Sequence, residues 1–166
     1  MKIYENLNVL PRPFIVHQAD IVADDEQAIV AMRAATFDPR STLVRVAKVG
    51  EATGLTRLGE MSPTDNVTIV SYEPERVEIT ASLESPGWLM LTDTYYPGWT
   101  ATVSDQPAEI LPVNIMFRGV ELPAGQHTIV FEFKPRSLQT GLWIGGVALL
   151  ILAGAFIISI RSKQER

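Results

Sequence analysis

The stretch "HTIVFEFKP", His127 to Pro135, sets Ile129, Phe131 and Phe133 in alternation with Thr128, Val130 and Glu132. A period of two places the first three side chains on one face of a strand and the others on the opposite face, so one face is expected in a core. Upstream of it the chain reads as all β. "NVTIVSYE" (66–73) and "RVEITASLE" (76–84) read as strands joined through Pro74 as a hairpin or tight corner. "GWLMLTDT" (87–94), "WTATVSD" (99–105) and "AEILPVNIMFRGVEL" (108–122) follow, with turn signals at Pro97-Gly98, Asp105-Gln106-Pro107 and Pro123-Ala124-Gly125. Short strands punctuated at this spacing predict a β-sandwich over residues 63–136.

The N-terminal part reads differently. "RPFIVHQADIV" (12–22) is rich in β-branched residues and predicts one strand. Asp24 with Gln27 three residues on makes a capping box for "DEQAIVAMRAA", in which Ala28, Ile29, Met32 and Ala35 fall on one helical face. "FDPR" (37–40) closes that helix, because the residue before a proline avoids helical backbone. "STLVRVAKV" (41–49) predicts a second strand, and Gly50 to Asp65 reads as loop. Residues 1–62 thus form a strand–helix–strand lobe.

Downstream, Ser137 to Ile160 contains no charged residue, and "GLWIGGVALLILAGAFIISI" (141–160) shows no polar face. Twenty residues at about 1.5 Å rise cover roughly 30 Å, the thickness of a bilayer's hydrocarbon core. The expectation is a transmembrane helix over 137–160 and a cytoplasmic tail over 161–166. The tail's Arg161, Lys163 and Arg166, against Lys134 and Arg136 on the other side, favour a cytoplasmic C-terminus and a main domain outside. The fold class expected is therefore α+β: mainly an antiparallel β-sandwich, with the N-terminal strand–helix–strand lobe and one C-terminal transmembrane helix.

Charge and composition narrow the function classes. The formal charge is −5, and since residues 137–166 carry a net +2, the rest holds −7. An acidic domain without a basic run excludes nucleic acid as a partner. The absence of cysteine excludes a disulfide scaffold and a cysteine metal site. His17 and His127 stand 110 residues apart without ligand-spaced companions, so no metal centre is expected. No G-x-S-x-G elbow or glycine-rich phosphate loop is present, so neither catalytic residues nor a cofactor are expected. "DDE" at Asp24–Glu26 fits carboxylates at a helix N-terminus.

The candidate ligand-binding residues gather in "TDTYYPGWTA" (92–101). Tyr95, Tyr96 and Trp99 can stack on a sugar ring while Asp93 accepts hydrogen bonds from its hydroxyls. Alternatively, Pro97-Gly98 makes a type II turn and the aromatics fill the end of the sandwich, the commoner role for such residues. Arg118 in "MFRGV" either pairs with Asp93 across the sheet, contacts a ligand, or points to solvent. Gly141 and Gly145 form a G-x-x-x-G pair suited to close helix packing, against the plain alternative of a lipid-facing surface.

The run "LMLTDTYYPGWTATVSDQPAEILPVNIMFRGVELPAGQHTIVFEFKPRSLQTGLWIGG" (89–146) resembles the C-terminal end of bacterial YfhO-type membrane proteins. That end carries an L-x-L-x-x-x-Y-Y-P-G-W strand and turn, F-R-G-V-x-L-P-A-G-x-H, and P-x-S-x-x-x-G, in this order. "NVLPRPFIVH" and "FDPR" are similar to that family as well. The resemblance implies a polytopic membrane protein related to glycosyltransferases that use lipid-linked sugars, with an extracytoplasmic C-terminal domain and a part in glycosylating cell-wall polymers. Its catalytic acidic residues lie near the family's N-terminus, so this chain is expected to be a non-catalytic accessory domain, a truncated or split piece. The partners implied are the membrane, the missing transmembrane helices of the same or an adjacent polypeptide, and a cell-wall glycan or lipid-linked sugar. The location implied is a bacterial cytoplasmic membrane, single-pass in this chain. Two other classes fit the residues: a stand-alone membrane-anchored carbohydrate-binding module, and a tail-anchored cytosolic interaction protein.

Overall fold

The computed structural model describes Tyr4, Asn6 and residues 9–164, and within the last helix the side chains at 137, 140–152 and 154. The first elements are β1 (Pro13–Val16), β2 (Gln18–Val22), α1 (Asp25–Arg33), β3 (Thr42–Val46) and β4 (Gly54–Arg57). Then come β5 (Asn66–Glu73), β6 (Arg76–Leu83), β7 (Gly87–Thr94), β8 (Trp99–Val103) and β9 (Gln106–Ala108). The last are β10 (Leu111–Val113), β11 (Phe117–Leu122), β12 (Gly125–Phe133) and α2 (Arg136–Gln164). Two compact units result, Met1–Phe133 and Lys134–Arg166.

The alternation in His127–Pro135 is realised in β12, the central strand of a five-stranded sheet ordered β5-β6-β12-β8-β9. Ile129 sits opposite Ile79 and Val103, and Phe131 opposite Val77 and Ala101, so each forms the middle of a cross-strand row. Both are fully buried. Against this face lies a four-stranded sheet, β1-β7-β11-β10, which contributes Leu89, Leu91, Val120 and Leu122 to the same core.

The four-stranded sheet is buried on its other face too. Trp88 and Met90 of β7, with Phe14, Val16 and Val113, pack on Ala19, Ile21 and Leu43 of a three-stranded sheet ordered β3-β2-β4. This explains why "WLML" is apolar without alternation: a strand covered on both faces has no polar side to show. On the far side of the three-stranded sheet, Val22 and Val44 receive Ala28 of α1, with Ala31 and Met32 beside it. Asp24 caps that helix by accepting from the Gln27 N–H at 2.8 Å.

Several expectations are corrected. Residues 12–22 form two strands rather than one; the chain turns at His17, so β1 joins the middle sheet while β2 pairs in parallel with β3. The inward face of α1 is Ala28, Ala31 and Met32, whereas Ile29 and Ala35 are exposed, and the helix stops at Arg33. The segment read as loop contains β4, which pairs with β2. Residues 108–122 make the last residue of β9 and the two strands β10 and β11, the latter two because Asn114 and Ile115 both take positive φ, 48° and 71°, and fold the segment into the β10–β11 hairpin.

The expected fold class is also corrected at its C-terminal end. Among the described residues no helix is long and apolar enough to cross a membrane, so the transmembrane helix assigned to 137–160 does not stand. The side chains of the tail, 161–166, lie outside the described residues.

Because Phe131 fills the centre of the larger core, Phe131→Ala should destabilise the fold by about 3–5 kcal/mol, read as a shift in the urea midpoint. Val130→Ala, on the outward face of the same strand, should cost well under half of that.

Candidate functional site

Three strands and the segment before β1 converge at one end of the sandwich. β7 delivers Asp93, β11 delivers Arg118, β8 begins with Trp99, and Arg12 lies just before β1. Arg118 is buried although charged. Its guanidinium carbon lies 3.8 Å from the Trp99 ring centre, Nε donates to the Thr94 carbonyl at 3.2 Å, and Nη2 stands 3.9 Å from Asp93 Oδ2. Nη1 has no hydrogen-bond partner among the described residues. Burial pushes the Arg118 guanidinium below its ordinary range, and the Asp93 charge opposes that shift.

Asp93 is the hub of this cluster. Tyr72 of β5 donates to its Oδ2 at 3.0 Å and accepts from Arg12 Nη1 at 2.6 Å, while the same Arg12 nitrogen lies 3.5 Å from Asp93 Oδ1. Burial first, and the Asp93 hydrogen bond and charge second, push the Tyr72 phenol above its usual range. Trp99 also meets Phe133, with ring centres 5.4 Å apart, and Tyr96 meets Phe133 at 6.4 Å. Gly98 takes φ +111° in the turn between Tyr96 and Trp99. Asp93, Trp99 and Arg118 are thereby drawn into one internal cluster. Tyr95 and Tyr96 are not: they remain exposed, Tyr96 at 62%.

Gly141 and Gly145 lie in α2, where an added Cβ at either would meet nothing within 4 Å. His127 sits at the opposite end of β12 from Phe133, with Nε2 3.0 Å from the Pro123 carbonyl and Nδ1 3.4 Å from Ser104 Oγ. Among the described residues no group of three or more His, Cys, Asp or Glu is placed to hold a metal ion.

Sequence reasoning missed a second polar cluster, around His17. This ring is buried between β1 and β2, with Nε2 2.8 Å from Asp65 Oδ2 and Nδ1 2.8 Å from the Pro86 carbonyl. Asp65 also accepts from the N–H groups of Ser62 and Glu84. Burial alone would raise its carboxyl; the Glu84 and Ser62 N–H groups and then His17 outweigh it and hold Asp65 below the usual range. In the lobe, buried Arg45 grips Glu51 with both terminal nitrogens. That hydrogen bond, followed by the Lys48 N–H, brings Glu51 down to about 2. Separations of 48 residues for His17–Asp65 and 60 for Arg12–Tyr72 leave no local sequence signal for either contact.

The arrangement binds side chains to one another. Asp93, Asp65 and Glu51 are each held by internal partners. Against this geometry, residues 56–145 match the family described as bacterial membrane protein YfhO, more than half of the chain. The chain belongs to the YfhO family. Neither a curated protein nor a solved structure matches it. The YfhO match spans β5 to β12 entire, so it takes in the whole five-stranded sheet, β7, β10 and β11 of the four-stranded sheet, and Asp93, Tyr95, Tyr96, Trp99 and Arg118. Membership associates the chain with bacterial membranes.

Two outcomes test this geometry. Asp93→Ala leaves Arg118 buried without its counter-charge and should destabilise by about 3 kcal/mol, whereas Arg118→Met, which removes the buried charge itself, should cost less, both read by urea denaturation. Asp65 has a folded value below its unfolded one. Its stabilisation is thus present above the unfolded carboxylate value of about 3.9 and is lost as pH falls through the folded value. Asp65→Asn should lower stability at neutral pH by about 1–3 kcal/mol and flatten the acid limb of the stability profile.

Proposed function

We propose that this chain is a non-catalytic accessory domain of a glycosyltransferase-like YfhO membrane protein, standing on the outer side of the bacterial cytoplasmic membrane. It serves beside membrane-embedded parts of the same or an adjacent polypeptide in modifying cell-envelope polymers. One observation carries the non-catalytic reading. Asp93, the carboxylate nearest the exposed tyrosines, is already engaged by Tyr72, Arg12 and Arg118. A general acid or base must be free to exchange a proton with substrate, and a carboxylate held by two cations and a phenol is a structural anion. The domain's net negative charge outside α2 accords with a partner other than an anionic surface.

The reading is tested in two assays. The purified chain, incubated with lipid-linked sugar donors and wall-polymer acceptors, should transfer no sugar; transfer would overturn the non-catalytic role. In cells, Gln126→Cys, unique in a chain without cysteine, should react with a membrane-impermeant maleimide before lysis. Labelling only after lysis would place the domain on the cytoplasmic side and overturn the location.

A further inference from the structure

The two ends of the five-stranded sheet differ in chemistry. At the end where β8 closes and β12 opens, a cavity of about 490 Å³ is lined by Asn66, Ser82, Ser104, Asp105, Gln126 and His127, among others. At the opposite end, beside Phe133, two loops meet. The Tyr95 N–H donates to the Met116 carbonyl at 2.6 Å, joining the β7–β8 loop to the β10–β11 hairpin tip. Tyr95, Tyr96, Ile115 and Met116 are all exposed there, at 37–62%.

Neither loop contains a charge: residues 94–104 and 110–117 lack Asp, Glu, Lys and Arg altogether. The tip is also held out at a conformational cost. Ile115 sits at φ +71°, a region that β-branched residues avoid and that costs of order 1–3 kcal/mol where it persists. Asn114 keeps the turn in place, since its N–H donates to the Val44 carbonyl and its Oδ1 accepts from the Val44 N–H, each at 2.7 Å. A rigid scaffold therefore projects an aliphatic pair and two tyrosines away from the core. Within residues 1–133 other large exposed apolar residues lie on separate elements, such as Val30 on α1, Leu55 on β4 and Val70 on β5, while α2 carries its own exposed apolar residues from Leu142 to Leu152.

We infer that the tip formed by Tyr95, Tyr96, Ile115 and Met116 docks into the interfacial layer of a lipid bilayer. The occupant follows from three features. The family is one of membrane proteins. Both loops are free of the charges that make insertion costly. Tyrosine, apolar in body and polar at its hydroxyl, is the residue type enriched at membrane–water boundaries. Around the tip, Arg12, Glu75 and Arg76 supply a charged rim suited to head groups and water; Glu75 and Arg76 are placed there by the pairing of the β5–β6 turn with Phe133 and Glu132. The two loops carry no Asp, Glu, Lys or Arg, so the tip suits zwitterionic lipid. The inference rests on membrane association alone and stands independently of the glycosyltransferase-like reading and of which side the domain occupies.

The test uses the full chain and its lack of cysteine. Ile115→Cys, Met116→Cys and, as the opposite-end control, Gln126→Cys each carry one environment-sensitive fluorophore and are mixed with phosphatidylcholine vesicles. Unchanged thermal unfolding confirms that each variant is folded, as expected for exposed positions. Labels at 115 and 116 should lose quenching by aqueous iodide and gain quenching by nitroxide-bearing lipid, while the label at 126 should change in neither. Equal iodide quenching at all three positions overturns the inference. So does shielding at 115 and 116 without any lipid quenching, which would mark a protein contact, and so does lipid quenching at 126 to the same degree.

Discussion

The structure depends on the four-stranded sheet being covered on both faces. Its strand β7 sends Leu89 and Leu91 into the core shared with β12, and Trp88 and Met90 into the core shared with β2 and β3. All four are buried. Close packing on both sides leaves no room for a polar substitution in this strand, because an unpaired buried polar group costs more than most single contacts return. The middle sheet also accepts no side chain at Gly119, where a Cβ would stand 2.6 Å from Val113 Cγ1. Two cores thereby become one continuous packed body, and the lobe cannot separate from the sandwich without exposing Trp88 and Met90.

Buried polar groups secure what this packing leaves undetermined. Hydrophobic burial is non-directional and would tolerate several placements of the connecting segments. Asn114 fixes one by offering Val44 both a donor and an acceptor, in effect extending the edge of β3 toward the middle sheet. His17 fixes another, tying the β1–β2 junction to Asp65 and Pro86. Arg118 fixes a third, through Thr94, Trp99 and Asp93. Each contact joins segments distant in sequence, and each would leave a costly orphan group if the segments moved apart.

What could be read in the sequence follows from this division. Alternation in β12 was legible because one face meets the core and the other does not, and β5 and β6 were legible as strands joined at a corner. The run "WLML" gave a strand but not its two-sided burial, since apolarity without alternation does not say what covers each face. The break at His17 was hidden because both flanking segments have strand composition, and only their pairing partners differ. The β10–β11 hairpin was hidden for another reason: Asn-Ile is a poor turn pair, and β-branched Ile115 argues locally against the positive φ it adopts. Of the candidate site, the pairing of Arg118 with Asp93 was one of three alternatives open in the sequence, but the Arg118–Trp99 contact and the entry of Tyr72, Arg12 and Phe133 came through long-range pairing that no local pattern encodes. The C-terminal segment shows the opposite error, where length and apolarity of the sequence suggested a membrane span that no described helix provides.

The strained residue and the apolar end bear on one another. Local rules fail at Ile115, and a sequence keeps such a violation only where the surrounding structure enforces it. Here Asn114 enforces it through β3, and the result is that Ile115 and Met116 face outward beside Tyr95 and Tyr96. Glycine or asparagine at 115 would relieve the strain and remove the aliphatic side chain together, so strain and exposure come as a pair. Meanwhile Arg118 and Asp93, directly beneath, are held by one another and by Trp99, and so present no free charge to whatever approaches the tip. An end that neutralises its charges internally while projecting apolar side chains at conformational cost is suited to meeting a poorly polar surface, whereas the polar cavity at the other end of the same strands is suited to water. That polarity along the strand axis accords with the inferred docking: tyrosines and aliphatics toward the bilayer, hydroxyls and amides away from it.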